Sequence, residues 1–139
     1  MDNITKRFLK YISYDTKSNP KNGDSQKPSS LGQWDLANEL KKELENLGLT
    51  ATINDEAFVF SEIKSNTDKD LPKVGFISHM DTSPEMPGKI DDPQIIEYKG
   101  GDIKLNDKRS ITVEDFPVLK DLVGLNLITT RGETLLGAD

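Results

Sequence analysis

An α/β fold is what the sequence predicts, and three observations carry that expectation. Residues 31–47 repeat apolar side chains at helical spacing, residues 50–54 and 57–63 are β-prone, and residues 74–78 (VGFIS) form a short apolar block suited to a strand buried on both faces. At 139 residues the chain has the length of one domain or of part of a larger one.

The elements follow in order. Ile4, Phe8, Tyr11 and Ile12 fall on one stripe with Lys6, Arg7 and Lys10 elsewhere, so residues 3–14 read as a short amphipathic helix. Residues 16–28 hold almost nothing apolar and read as solvated loop. Ser30 with Gln33 three residues on fits a capping box, after which Trp34, Ala37, Leu40, Leu44 and Leu47 continue a helix that Gly48 stops. The β-prone stretches at 50–54 and 57–63 flank Asn54, Asp55 and Glu56, which suggests a hairpin or two sequential strands. After a polar loop at 65–73, the strand at 74–78 ends at His79. Residues 81–101 carry Pro84, Pro87, Gly88, Pro93, Gly100 and Gly101 and read as an irregular excursion. Residues 103–105 suggest a short strand. Phe116, Leu119, Leu122 and Val123 make a brief helical stripe with Pro117 in its first turn, and residues 127–130 and 134–136 read as closing strands. No internal repeat is present.

Composition excludes several function classes. Leu, Ile, Val and Phe make up 36 of the 139 residues, above the roughly one in five below which a highly charged chain stays disordered. The longest apolar run, residues 57–60, is far short of the ~20 residues of a membrane helix. No apolar block follows the charged N-terminus, so a secretory leader is not expected either. With no Cys, disulfides, thiolate zinc sites and cysteine nucleophiles drop out, and any metal must take N and O ligands. A net charge of -6 with no basic cluster longer than two residues argues against nucleic acid as a partner.

Chemistry is concentrated at residues 76–82 (FISHMDT), where a strand delivers an imidazole and, two residues later, a carboxylate. At that spacing Asp81 can accept a hydrogen bond from one ring nitrogen of His79 while the other binds a metal. The same spacing also fits a lone His at a strand end beside an unrelated turn Asp. Residues 134–139 (TLLGAD) repeat the grammar, with a short apolar strand, a Gly and then Asp139, which is either a second ligand or an ordinary loop start.

Taken together, residues 9–16 (LKYISYDT), 32–34 (GQW), 75–84 (GFISHMDTSP), 93–95 (PQI), 98–103 (YKGGDI), 116–119 (FPVL) and 127–139 (LITTRGETLLGAD) resemble the peptidase T family, bacterial aminotripeptidases among the di-zinc exopeptidases. The resemblance runs in order from the first helix to the last residue. It implies the N-terminal part of a zinc-exopeptidase catalytic domain, with a mixed, mostly parallel sheet packed with helices. His79 matches a histidine ligand of one metal, Asp81 the catalytic-site acidic residue that orients it, and Asp139 the carboxylate that bridges two zinc ions.

The same resemblance implies an enzyme acting on small peptides, tripeptides above all, with a homodimer formed through a second domain, and the absence of Cys is compatible with the cytoplasmic location expected here. That domain, the general base and the remaining ligands are expected beyond residue 139, so residues 1–139 alone are expected to be inactive. Glu85, Glu97, Glu114 and Glu133 match no base position and read as surface charges. The competing expectation is a non-catalytic α/β binding module that keeps relic site residues.

Overall fold

Among the described residues the chain forms two α-helices, one 3-10 helix and three small antiparallel sheets. The computed structural model describes residues 3–23, 25–132 and 137–138. Helix α1 spans Asn3–Tyr11, three residues less than the stripe suggests. Its end is set by Ser13, whose hydroxyl and backbone N–H both bond the Lys10 carbonyl. Such side-chain competition for a helical carbonyl favours a stop. Ile12, just past the helix, is buried, whereas Ile4 stays exposed.

Helix α2 spans Leu31–Asn46 and buries Gln33, Leu36 and Ala37. Its C-terminus follows the expectation closely. Gly48 adopts φ +83°, its N–H bonds the Glu45 carbonyl and the Leu49 N–H bonds the Leu44 carbonyl, which is a Schellman ending. The N-terminus departs from it. Ser30 is extended but makes no side-chain cap, and its hydroxyl has no partner among the described residues. The Gln33 amide instead reaches out of the helix to the Thr16 carbonyl at 3.2 Å, so the expected capping box is replaced by a tertiary hydrogen bond.

Between the helices runs a polar lock. The Tyr11 hydroxyl donates to Glu43 Oε2 at 2.6 Å, Arg7 Nε lies 3.1 Å from the same carboxylate, and Lys10 pairs with both Glu39 and Glu43. Burial, and then the bond to Glu43, push the Tyr11 phenol up to about 12. Its neutral form is therefore favoured by folding. The stability it adds is complete below pH 10 and is lost as pH rises through about 12. Tyr11→Phe is expected to remove the late-titrating phenol from a phenolate absorbance titration and to cost ~1 kcal/mol in urea unfolding. A parent protein lacking that late phenol would show that α1 does not dock on α2 this way.

Strands β1 (Ala51–Ile53) and β2 (Val59–Ser61) pair antiparallel as a hairpin, with Ile53 opposite Val59, and α2 packs on it. Asn54 closes the turn, its side-chain oxygen accepting from the N–H groups of Glu56 and Phe58. Farther along, β3 (Gln94–Glu97) pairs antiparallel with β6 (Asn126–Thr129), and β4 (Ile103–Lys104) with β5 (Ser110–Ile111). A 3-10 helix at Pro117–Leu122 packs Leu119 against Tyr98 and Ile103, a small core joined by Ile96, Leu122 and Leu127. Strand β3 lies inside the stretch expected to be irregular. Ile95 and Ile96 are enough for a strand once β6 supplies its partner edge. The strand expected at 134–136 lies outside the described residues.

The largest difference concerns residues 74–78. They form no strand and are fully exposed, Phe76 at 95% and Ile77 at 98%. A strand buried on both faces needs hydrogen-bonding neighbours as well as close-packed layers above and below it, and among the described residues no strand pairs with this segment. Among the described residues all three sheets are antiparallel, and the single parallel pairing is a bridge between Lys17 and Thr82. Helices and small sheets are compatible with the expected α/β class, without the mixed, mostly parallel sheet among the described residues. No helix of the described residues is long and apolar enough to cross a membrane.

Candidate functional site

The site starts from two stretches far apart in sequence. Residues 16–18, expected to be solvated loop, run beside Thr82 as an extended pair. The Thr82 N–H donates to the Thr16 carbonyl at 3.1 Å, and the Ser18 N–H donates to the Thr82 carbonyl at 2.9 Å. Thr16 and Thr82 are buried, and their hydroxyls meet at 3.3 Å. Alternation along an extended backbone turns Thr16 and Ser18 to the same side, and Pro20 disfavours helix just before it.

Two glycines let the pairing form. A Cβ on Gly32, in the first turn of α2, would lie 2.6 Å from the Asp15 carbonyl carbon and nearer still to its oxygen. A Cβ on Gly88 would lie 2.5 Å from the Lys17 nitrogen. The 15–18 backbone is therefore clasped between α2 and the loop that follows Thr82. Both approaches are too close for any residue with a side chain.

That clasp presents His79 and Asp81. The His79 Nδ1 lies 2.8 Å from the Asp81 backbone carbonyl and 3.4 Å from Asp81 Oδ1. Two acceptors face Nδ1, an arrangement that a proton on that nitrogen satisfies. Both the backbone and the side chain of Asp81 thus face the same ring nitrogen. Asp81 has a second partner on its other oxygen, Ser18, whose hydroxyl donates to Oδ2 at 2.6 Å. Both side chains of the pair are about half exposed, at 52% each.

Asp139, the third candidate, lies outside the described residues. Gly137, at φ +76°, is described, and a Cβ built on it would stand 3.6 Å from the Ser83 nitrogen and 4.0 Å from His79 Cε1. Gly137 therefore lies beside the imidazole. Among the described residues no three His, Cys, Asp or Glu side chains gather as a metal set. Glu85 accepts from the Ser83 hydroxyl, which holds its carboxyl below the usual range. That leaves it an ionised surface group, as the sequence suggested.

Alongside lies a cavity of about 730 Å³, walled by Leu40 and Leu44 of α2, Phe58 and Phe60 of the hairpin, and Phe76 and Ile77. His79 and Asp81 stand in its lining.

No protein-family model matches the chain. Individual proteins do. Every residue of the chain aligns with peptidase T of Clostridium novyi at 47% identity over 143 positions, with that of Alkaliphilus oremlandii at 50% over 145, and with that of Salmonella newport at 47% over 142. The chain spans about a third of the length of these curated relatives, 35%, 35% and 34% respectively. Identity of this order along the entire chain shows that the chain belongs to the peptidase T family and corresponds to its N-terminal portion.

Proposed function

We propose that residues 1–139 are the N-terminal part of the catalytic domain of a zinc-dependent aminotripeptidase, which releases the N-terminal residue of tripeptides with an activated water. The observation that carries this reading is the His79–Asp81 pair, set in a chain whose every residue aligns with peptidase T. His79 would hold one zinc ion through Nε2, and Asp139 would bridge it to a second. Bound zinc would supply a Lewis acid for the scissile carbonyl and lower the pKa of a water. Asp81 keeps the Nδ1 proton in place, so the ring presents a lone pair at one fixed angle. The position of Gly137 supports Asp139 in its role, because two residues span at most ~7 Å.

The whole protein would add the general base, the remaining ligands and a second domain that makes a homodimer, and it would work in the cytoplasm on small peptides. Residues 74–78 would there become a strand of a mixed, mostly parallel sheet packed with helices. Burying a Phe or Ile side chain yields roughly 1.5–3 kcal/mol, which supports such a fate for Phe76 and Ile77.

A catalytic zinc normally takes three protein ligands and a water, more than His79 and Asp139 can offer two ions. The 139-residue chain with added zinc is therefore expected to hydrolyse no tripeptide, while the complete protein does. Comparable turnover by both would overturn the assignment of parts. Absence of turnover and of bound zinc in the complete protein would favour a non-catalytic module. A distance above roughly 10 Å between His79 and the Asp139 carboxylate would exclude shared two-metal ligation, with its ~3.5–4 Å metal spacing.

A further inference from the structure

We infer that Ser18 is a positioning residue for the histidine site, acting through Asp81. Its catalytic consequence rests on the zinc reading above, whereas its geometry does not. A carboxylate that is half exposed turns freely unless both oxygens are engaged. Here Oδ1 faces the imidazole at 3.4 Å and Oδ2 accepts the Ser18 hydroxyl at 2.6 Å, the short distance of a charge-assisted bond. A serine rotor by itself would hold little.

Ser18 is held in turn by its own backbone. Its N–H is bonded to the Thr82 carbonyl, the residue next to Asp81, so hydroxyl and carboxylate are carried by two strands tied together one residue away. The tie continues inward. Thr16 and Thr82 meet as buried hydroxyls, and the Thr16 carbonyl accepts the amide of Gln33 from the first turn of α2. Orientation of the imidazole is thereby referred to the best-formed helix of the chain. Outer residues that orient a ligating histidine commonly govern metal affinity by ~10–100-fold.

His79 is the sole histidine of the chain, so its ring nitrogens give unambiguous signals in a ¹⁵N-labelled sample. In the metal-free chain the Nδ1–H tautomer is expected to dominate. Ser18→Ala should shift the ring toward a mixture with the Nε2–H form, and Ser18→Thr, which keeps the hydroxyl, should restore it. In an Asp81→Ala background, Ser18→Ala should change nothing further, since a residue acting through Asp81 has no separate effect. An unmoved tautomer in Ser18→Ala, or an equal shift with Asp81 already removed, would overturn the inference. In the complete protein Ser18→Ala should weaken zinc retention, by less than the ~10-fold or more expected of Asp81→Ala, through which it acts. If the complete parent protein binds no zinc, the proposed function fails while the tautomer measurement still decides the role of Ser18.

Discussion

His79→Ala in the complete protein is expected to lower zinc retention by more than ~100-fold, and Asp81→Ala by ~10–100-fold, with the fold retained in both. The order follows from what each change removes. Losing the imidazole deletes a bond to the metal, whereas losing the Asp81 carboxylate leaves the ring in place and its Nδ1 still bonded to the Asp81 backbone carbonyl. That backbone contact survives truncation to Ala, so the effect of Asp81→Ala should sit toward the lower end of its range. Folding should be indifferent because both side chains are half exposed and fill no core position. Zinc content after exhaustive dialysis, measured beside thermal melting, decides the matter. Equal and negligible losses would make the pair structural.

How much of this was legible in the sequence depended on how far each element reaches for its partner. Helix α2 was legible to its last turn, because its stripe and Gly48 are local, and the turn around Asn54 was legible for the same reason. The adjacency of His79 and Asp81 needed only spacing. Strand β3 escaped notice since its partner β6 begins about thirty residues later and the stretch around Ile95 and Ile96 is dense with Pro and Gly. Residues 74–78 carry the pattern of a buried strand, yet pattern records what a segment would bury and not whether neighbours are at hand to bury it. Residues 16–18 were missed for the opposite reason. Polar residues in a Pro-rich and Asn-rich stretch look solvated, and nothing local discloses that Thr16 and Ser18 face Thr82 and Asp81 more than sixty residues away. Gln33 has the spacing of a local cap, whereas its amide serves that distant pairing.

Gly32→Ala is expected to destabilise the protein by ~1–3 kcal/mol, although local helix propensity argues for the reverse. Within a helix Ala is favoured over Gly by ~1 kcal/mol, and Gly32 has no positive φ that would demand glycine. Tertiary packing decides the sign. The added methyl would meet backbone atoms of Asp15, which cannot swing aside as a flexible side chain would. Asp15 cannot retreat either, because on its other side Lys17 already abuts Gly88. Relief therefore requires α2 and the 15–18 segment to separate, which loosens the Gln33–Thr16 bond and carries Ser18 away from Asp81. Gly75→Ala provides the comparison, since nothing lies within 4 Å of its Cβ position and its cost should stay within ~0.5 kcal/mol. Urea unfolding of the two variants separates the terms. Indistinguishable stabilities would mean that the 15–18 segment does not lie against the helix. A large loss for Gly32→Ala, accompanied by a shifted His79 tautomer, would tie the integrity of the site to this single close approach.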